Sequence, residues 1–367
     1  MQRGANRVRA LAGALAGMLK PRLSARPVAP KKILVFHELL LGDTLLLAPL
    51  LAALRQRHSH AELFVSCNPA YSELFSASPY GVKVLAYSER NPDALSALSP
   101  ASDCELAILP GDNRHAIAAR AIGAQWVVGF AGGRPAWRNR AVDELVDLPS
   151  EPEALADIFM RLAGSGDEET ASLRYRPGDW PAPRFEPFEM PGIPYGVLHV
   201  GAGSPLRLWE PLKWRTVAQV LVARGIQPVW TAGPNEDKLV HAIDPERRHR
   251  SYAGQLSLAQ LWRLLAGARL AVTLDTGIAH MAKLTSPPVA ALFGPGSAQL
   301  FGKGRFWRDN PFAEVTIENF ACRDQRHLFK REVQWARRCN RKPPECPRAR
   351  CMEAIAPEMV LEALPVE

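Results

Sequence analysis

The sequence predicts an α/β protein with two doubly wound parallel sheets. Short apolar runs alternate with helical segments over residues 31–130 and resume after residue 195. Residues 268–296 show the repeating unit most clearly, because apolar runs at 270–274 and 289–293 flank a helical segment. This strand, helix, strand order is typical of a parallel sheet, in which ligands bind beyond the carboxyl ends of the strands.

The length and the distribution of charge restrict the class of protein. A chain of 367 residues is long enough for two domains, and no apolar run approaches the roughly 20 residues needed to span a bilayer. The net charge is +8, but the positive charge is concentrated at the two ends. Residues 1–32 carry eight Lys and Arg and no acid, and residues 322–350 carry ten Lys and Arg against three acids, so the rest of the chain is net negative. This pattern favours an anionic surface or acceptor near the ends over a protein that coats nucleic acid along its whole body.

Residues 1–30 are expected to form a basic N-terminal leader around the apolar segment 10–19. A secretory signal would have a similar basic start and apolar core, but Lys20 and Arg22 follow at once and no A-x-A cleavage site does. Two interpretations stay open, a short amphipathic helix on an anionic membrane face and a disordered leader.

Residues 31–170 are expected to form the first domain. A helix should begin near Asp43, because Leu46, Leu50 and Leu54 follow on one face. The predicted strands are 33–36, 61–65, 82–87, 105–109 and 126–130, and the other predicted helices are 71–77, 92–98, 117–122 and 151–163.

Residues 171–194 are expected to be a linker, because prolines accumulate and the alternation stops. Residues 195–320 should form the second domain, and residues 321–367 a basic tail with cysteines and a last helix at 357–364. The predicted strands are 197–200, 228–231, 270–274 and 289–293, and the predicted helices are 214–224 and 258–267. Ser257 and Gln260 have the spacing of a capping box for the second of these helices.

Polar and small residues follow three predicted strands of the second domain. Gly201 to Ser204 follow the first, Glu236 the second, and Asp275, Thr276 and Gly277 the third. Unpaired N–H groups at such helix starts bind anions, and nearby cations at Arg207 and Lys213 fit that chemistry. The alternative is purely local, since Asp and Thr often cap helices and glycines often serve only the turn.

Six cysteines occupy positions 67, 104, 322, 339, 346 and 351. Only the interval between Cys346 and Cys351 matches a common zinc-ligand pair, so a metal site made of Cys322, Cys339, Cys346 and Cys351 is a weak alternative to ordinary thiols or a redox-sensitive clip.

Three motifs occur together in this chain. They are Gly42-Asp43 at the first helix, the His199 to Ser204 loop with Trp209 downstream, and Asp275 to His280 followed by Phe293-Gly294-Pro295. This combination resembles glycosyltransferase family 9, the bacterial heptosyltransferases of the lipopolysaccharide inner core. The resemblance covers roughly residues 31–360. It implies a GT-B fold of two Rossmann-like domains facing a cleft, a final helix packed on the first domain, and an inverting transfer of heptose from ADP-heptose to a lipid A-linked acceptor without a metal.

The resemblance also implies roles for individual residues. Asp43 corresponds to the general base, and Arg207 stands where the family usually has a lysine that meets the leaving diphosphate. The resemblance also implies the residues that bind the donor. Glu236 would contact the ribose, and Asp275 would orient the donor sugar. Thr276, Gly277 and His280 would contact the diphosphate, and His199, Gly203 and Ser204 would line the adjacent loop. Three of these residues also have a purely structural interpretation. Asp43 would be a helix cap, Arg207 a surface cation and His280 a structural histidine.

The resemblance implies a cytoplasmic protein, with peripheral contact at the inner face of the inner membrane as a further expectation, and no nucleic acid as partner. One alternative keeps the fold and changes the substrates, so that this transferase would use another nucleotide sugar or a protein acceptor. A nicotinamide dehydrogenase is disfavoured because no G-x-G-x-x-G follows the first strand. A nucleic-acid binder using Phe329 and Trp335 among the arginines of the tail would leave the carboxylates at the strand ends unexplained.

Overall fold

The computed structural model describes residues 23–91, 93–164 and 172–364. The chain divides into two compact units. The N-terminal unit comprises the chain through Leu173 together with Asp179–Pro181 and His327–Gln334, and the C-terminal unit comprises Arg174–Gly178, Ala182–Arg326 and the chain from Trp335 onward. Most of the predicted leader, residues 1–22, lies outside the described residues.

The N-terminal unit contains a six-stranded parallel sheet in the order β3-β2-β1-β4-β5-β6. Its strands are β1 (Lys32–Phe36), β2 (Glu62–Cys67), β3 (Val82–Ala86), β4 (Leu106–Leu109), β5 (Trp126–Phe130) and β6 (Glu144–Val146). The order reverses between β1 and β4, so the carboxyl ends of these two strands form the topological switch point at which α/β sheets bind ligands.

Helical segments connect these strands. The α-helices are α1 (Leu41–Leu45), α2 (Ala48–Arg57), α3 (Ala116–Ala121) and α4 (Leu155–Met160), and 3₁₀ turns cover Pro69–Phe75, Pro79–Gly81, Ser96–Ala101, Asn113–His115, Ala136–Ala141 and Arg161–Ala163. The helix predicted from Asp43 is therefore two helices. Pro49 explains the break, because its nitrogen has no hydrogen to continue the ladder of the first helix.

Two predicted helices of this unit are 3₁₀ segments. The helix predicted at 71–77 is present as the 3₁₀ helix Pro69–Phe75, which begins at a proline. The predicted helix at 92–98 is replaced, in the residues that are described, by the 3₁₀ segment Ser96–Ala101, which contains Pro100. Segments this short, with proline inside or at the start, cannot build a long i to i+4 ladder.

The core of the N-terminal unit lies on both faces of its sheet. Ile33, Leu34 and Val35 are fully buried, as are Ala107 and Ile108 of β4. Strands that are covered on both sides read as continuous apolar runs, which explains why these strands were recognisable in the sequence.

The C-terminal unit contains a second six-stranded sheet in the order β12-β11-β10-β7-β8-β9, parallel throughout. Its strands are β7 (Tyr195–His199), β8 (Gln227–Thr231), β9 (Arg250–Ser251), β10 (Leu270–Leu274), β11 (Val289–Phe293) and β12 (Phe312–Thr316). Its first strand, β7, neighbours β8 and β10, so this sheet repeats the topology of the first and has its switch point between β7 and β10. The predicted α/β class with two Rossmann-like sheets is confirmed.

The α-helices of the C-terminal unit are α5 (Pro211–Ala223), α6 (Asp237–Ile243), α7 (Leu258–Ala266), α8 (Gly277–Thr285), α9 (Ala298–Phe301), α10 (Arg350–Glu353) and α11 (Pro357–Glu362). The predicted capping box is confirmed at α7, where Ser257 Oγ accepts from Gln260 N and Gln260 Oε1 accepts from Ser257 N. Among the described helices, none is long and apolar enough to cross a membrane.

The last helix packs within the C-terminal unit. Val360 and Leu364 join the buried cluster that contains Trp214 and Leu198, and Trp209 Nε1 donates to the main-chain oxygen of Ile355. The buried face of this helix thus belongs to the core of the C-terminal unit, and its packing on the first domain stays a prediction. Its apolar side chains pack against the buried side of α5 and against Trp209, a contact that local sequence patterns do not reveal.

The tail is divided between the two units. The hairpin β13 (His327–Leu328) and β14 (Arg331–Glu332) belongs to the N-terminal unit. Arg331 is buried there and donates to the main-chain oxygens of Phe130 and Ala131 and to Asn113 Oδ1. One buried side chain thus anchors a hairpin about 200 residues away from its partners in sequence.

Candidate active site

The switch point of the C-terminal sheet gathers most of the predicted donor-binding residues. β7 ends at His199 and β10 ends at Leu274, and the two strands are neighbours. Because both strands end at the same edge of the sheet, the loop after His199 and the turn at Asp275 come together there.

The β10–α8 turn places a carboxylate that does not cap the helix. Thr276 is the N-cap of α8, and its Oγ1 accepts from Ile278 N at 3.3 Å. Asp275 is 5% exposed, and its Oδ2 has no hydrogen-bond partner among the described residues. The capping alternative therefore holds for Thr276 and not for Asp275. A buried carboxylate oxygen without a partner is costly, which favours a functional role for Asp275.

Arg207 lies against Asp275. Its Nη1 donates to the main-chain oxygen of Asp275 at 2.6 Å and lies 3.8 Å from Asp275 Oδ2. Burial raises the pKa of the Asp275 carboxyl, although the charge of Arg207 acts in the opposite direction. Arg207 is therefore a contact of the candidate site, with 39% of its side chain exposed.

The loop after β11 closes over the same carboxylate. A Cβ added at Gly296 would lie 1.9 Å from Asp275 Oδ2, so only glycine allows this approach. Arg323 holds the loop by donating to the main-chain oxygens of Gly294 and Phe293 and to Thr316 Oγ1. Sequence reasoning missed Arg323, because no local pattern connects it to a turn about thirty residues earlier.

Two buried histidines lie in this part of the unit. His280, on α8, is 5% exposed, and its Nδ1 has no partner among the described residues. Burial and the nearby charges of Lys283 and Arg207 hold the pKa of His280 well below its usual value. His199 bonds through Nδ1 to Thr231 Oγ1 at 3.0 Å, and burial lowers its pKa to about 4. Both rings are therefore neutral at pH 7.

The β7 loop itself is more open. Ser204 caps the 3₁₀ turn Pro205–Arg207, and its Oγ accepts from Leu206 N at 3.4 Å. Gly203 is exposed, and a Cβ added there would meet no atom within 4 Å. Packing does not require glycine at 203, so close approach of a ligand to the backbone stays a prediction.

Glu236 connects the loops after β7 and β8. Its carboxylate accepts from Ala202 N at 3.2 Å and from Gly233 N at 2.7 Å. A Cβ added at Gly201 would lie 2.0 Å from Glu236 Oε2, so this contact also depends on a glycine. The carboxylate therefore has a structural function, and the predicted ribose contact would use its remaining lone pairs.

Asp43 belongs to the N-terminal unit. It is the third residue of α1, and the N-cap position is Leu40, so Asp43 does not occupy the cap. It is half-buried and lies near Tyr71, whose pKa is raised by burial and, to a lesser extent, by the charge of Asp43. The first turn of a helix favours the ionised carboxylate.

The four tail cysteines are free thiols. Burial raises the pKa of Cys351, and Cys346 Sγ donates to the main-chain oxygen of Arg348 at 3.3 Å. In the described part of the chain, the residues that meet as a group of three potential metal ligands are Glu38, Glu89 and His115, and no such group includes a cysteine.

Comparison with known proteins identifies the family. The family model of glycosyltransferase family 9 (heptosyltransferase) matches residues 106–331, which is more than half of the chain. The chain belongs to glycosyltransferase family 9. The identification of the family and of the glycosyltransferase class from sequence motifs is confirmed.

Two curated relatives of this family member are lipopolysaccharide heptosyltransferases. Lipopolysaccharide heptosyltransferase 1 of Pseudomonas aeruginosa is 30% identical over 192 residues, which cover 44% of this chain and 52% of the relative. Lipopolysaccharide heptosyltransferase 3 of Escherichia coli is 24% identical over 282 residues, which cover 69% and 80%. The matched region thus spans about half of the first relative. The family acts in the biosynthesis of the lipopolysaccharide core.

Solved structures share the fold. ADP-heptose lipopolysaccharide heptosyltransferase II of E. coli superposes with a TM-score of 0.66 at 20% identity, covering 90% of this chain and 97% of that chain. An iron-containing dodecameric glycosyltransferase, TibC from enterotoxigenic E. coli, gives a TM-score of 0.53 at 15% identity, covering 94% and 76%. At these identities the likeness establishes the fold.

Proposed function

We propose that this family 9 member transfers a heptose from ADP-heptose to a lipid A-linked core acceptor with inversion at the anomeric carbon. The observation that carries the proposal is the buried Asp275 carboxylate, with one unpartnered oxygen, beside the Arg207 guanidinium at the start of α8. This arrangement joins a cation and the N-terminus of a nine-residue helix, which suit a diphosphate, to a carboxylate that suits a sugar hydroxyl.

In the proposed reaction, Thr276 and Gly277 at the helix start and Arg207 hold the diphosphate. The acceptor oxygen forms a bond to the anomeric carbon as the bond to the diphosphate breaks, and ADP leaves with the electron pair. Arg207 stabilises the negative charge that develops on the leaving group. Asp43, which is at the position of the base in the Gly42-Asp43 motif, takes the proton of the acceptor hydroxyl.

Arginine at 207 differs from the lysine usual at this position in the family. Its planar fork allows one nitrogen to hold the main chain of Asp275 while the other meets the diphosphate, which a single ammonium group does less well. The proposal therefore gives Arg207 both a positioning role and a charge-stabilising role.

Incubation of the purified protein with ADP-heptose and a truncated lipopolysaccharide acceptor tests the proposal. We expect a product whose new glycosidic bond is inverted relative to the donor, as read by NMR. Absence of product, or a retained configuration, would contradict the proposal.

Thermal-shift measurements with ADP, GDP and UDP sugars identify the donor, because a ligand that binds the folded state raises its stability by mass action. We expect the largest shift with ADP-heptose.

The proposed acceptor is anchored in a membrane by its lipid, so the proposal places the reaction at the cytoplasmic face of the inner membrane. The basic tail supports this, since residues 322–350 carry ten Lys and Arg against three acids and would attract an acceptor rich in phosphate and carboxylate. Sedimentation with anionic vesicles at low and high salt tests the attraction, and binding that is insensitive to salt would contradict it.

A further inference from the structure

Three potential metal ligands meet at the carboxyl edge of the N-terminal sheet. Glu38 follows β1, Glu89 follows β3, and His115 ends the 3₁₀ turn that follows β4. Their candidate ligand atoms all lie within 4.8 Å of one another. Because three separate strand ends contribute, the fold itself assembles the group, as it does for sites at a switch point.

His115 gives an independent indication that a ligand belongs there. Its side chain is 6% exposed, and neither ring nitrogen has a hydrogen-bond partner among the described residues. The ring stacks on Phe36 at a centroid distance of 4.6 Å and meets the edge of Tyr87, which fixes its orientation. Nδ1 lies 3.6 Å from Glu89 Oε1, so the unpartnered imidazole is aimed at the carboxylates. Buried polar atoms in native proteins nearly always have a partner.

The two carboxylates are held close together. Glu38 Oε1 accepts from the main-chain nitrogen of Glu89 at 3.0 Å, which fixes one acid beside the other. Both are partly buried, and like charges in such a recess repel each other. A neighbouring cation, Arg114, donates to the main-chain oxygen of Glu38 and pairs with Asp112 at 3.3 Å, and Arg138 and Lys330 pair with the same Asp112 carboxylate. A cation between the carboxylates would remove the repulsion.

We propose that Glu38, Glu89 and His115 bind a divalent transition-metal ion, with two carboxylate oxygens and one imidazole nitrogen as ligands. This donor set suits Zn²⁺, Mn²⁺ and Fe²⁺, whereas Mg²⁺ prefers oxygen ligands alone. The site shares no residue with the tail cysteines and does not depend on the proposed heptosyl transfer.

The ion has a structural consequence for the connection between β1 and α1. Glu38 lies in that connection, five residues before Asp43. Binding would tie the connection to the ends of β3 and β4, so that the main chain leading into α1 becomes more rigid.

Metal binding by the full-length protein tests the proposal. After treatment with a chelator, the protein is dialysed against Zn²⁺, Mn²⁺ or Mg²⁺, and bound metal is measured by elemental analysis. We expect one equivalent of Zn²⁺, weaker binding of Mn²⁺ and the weakest binding of Mg²⁺. Glu89→Gln and His115→Gln should each weaken binding by more than roughly tenfold. Glu62→Gln, at the exposed first residue of β2, is the matched control and should bind like the parent.

Two further readouts separate this site from the cysteines and from loss of folding. The protein loaded with Co²⁺ should give an absorption spectrum without a thiolate charge-transfer band. In the parent, the amide hydrogens of residues 39–42 should exchange with solvent more slowly when metal is present than when it is absent. In Glu89→Gln, the metal should not change these exchange rates. Circular dichroism establishes that the variants are folded. The proposal is overturned if no metal binds, if folded Glu89→Gln and His115→Gln bind like the parent, or if the cobalt spectrum shows thiolate ligands.

Discussion

The Nη1 atom of Arg207 lies 2.6 Å from the main-chain oxygen of Asp275 and 3.8 Å from its Oδ2. One guanidinium therefore fixes the turn that begins α8 and also partly offsets the charge of a buried carboxylate. The remaining exposure of Arg207 leaves nitrogen atoms for an anionic ligand, which connects the local structure of the turn to the proposed transfer.

Removing the charge at 207 should impair the transfer more than donor binding. We expect Arg207→Gln to lower kcat by about 100-fold, because the cation acts mainly on the charge that develops as the bond to the diphosphate breaks. The kcat of Arg207→Lys should lie between those of the parent and of Arg207→Gln, since lysine keeps the positive charge and loses the planar fork of the guanidinium. Steady-state kinetics with ADP-heptose measure the effect, with Arg248→Gln, in an exposed surface ion pair, as control. Activity of Arg207→Gln within threefold of the parent would exclude this role.

The buried histidines should make the protein sensitive to acid. His199 has a folded-state pKa of about 4 against 6.5 for the free side chain, so its contribution to stability is complete above pH 6.5 and is lost as the pH falls toward 4. At pH 4 the loss is on the order of 3 kcal/mol. The free energy of unfolding of the parent should therefore fall more steeply between pH 6.5 and 4 than that of His199→Gln. Parallel slopes in urea titrations at several pH values would refute this assignment.

Gly296 and Gly203 provide a matched pair of glycines in the same unit. Gly296→Ala should destabilise the protein by about 1–3 kcal/mol, because the new methyl group would overlap Asp275 Oδ2. Gly203→Ala should leave stability nearly unchanged, since its Cβ meets open space. Chemical denaturation measures both, and equal stabilities of the two variants would contradict the close approach at Gly296.

Glu236 should contribute to stability in addition to any contact with the donor. Glu236→Ala leaves the N–H groups of Ala202 and Gly233 without their charged acceptor, at a cost of about 2 kcal/mol. Glu246→Ala, in an exposed pair, is the control. Calorimetry of ligand binding then separates this structural role from a contact with the ribose. If Glu236 contacts the ribose, Glu236→Gln should weaken the binding of ADP more than the binding of pyrophosphate. An unchanged stability of Glu236→Ala would contradict the structural role.

Much of the fold could be predicted from the sequence because the strands are buried on both faces. The predicted strands at 270–274 and 289–293 coincide with β10 and β11, whose residues are all buried. The capping box at Ser257 was predictable for a similar reason, since both of its partners lie within four residues. Local chemistry thus determines these elements.

Features that depend on distant contacts could not be predicted. Arg331 bonds to Phe130 and Asn113 from a tail that carries only a basic composition as its signal. His115 and Glu38 are 77 residues apart and meet only after the sheet has ordered β1 beside β4. At the candidate site, the motif predicted that Asp275 and Thr276 act together, but their division into an unpartnered carboxylate and a cap required the structure.

The most direct test of the proposed mechanism is the transfer rate of Asp43→Asn compared with Asp93→Asn, an exposed aspartate of the same unit. Asn keeps the shape of the side chain and cannot accept the proton, so kcat should fall by about 100-fold or more while the Kd for ADP stays unchanged. Asp93→Asn should behave like the parent. An Asp43→Asn protein that transfers heptose at the rate of the parent would show that this carboxylate is not the base.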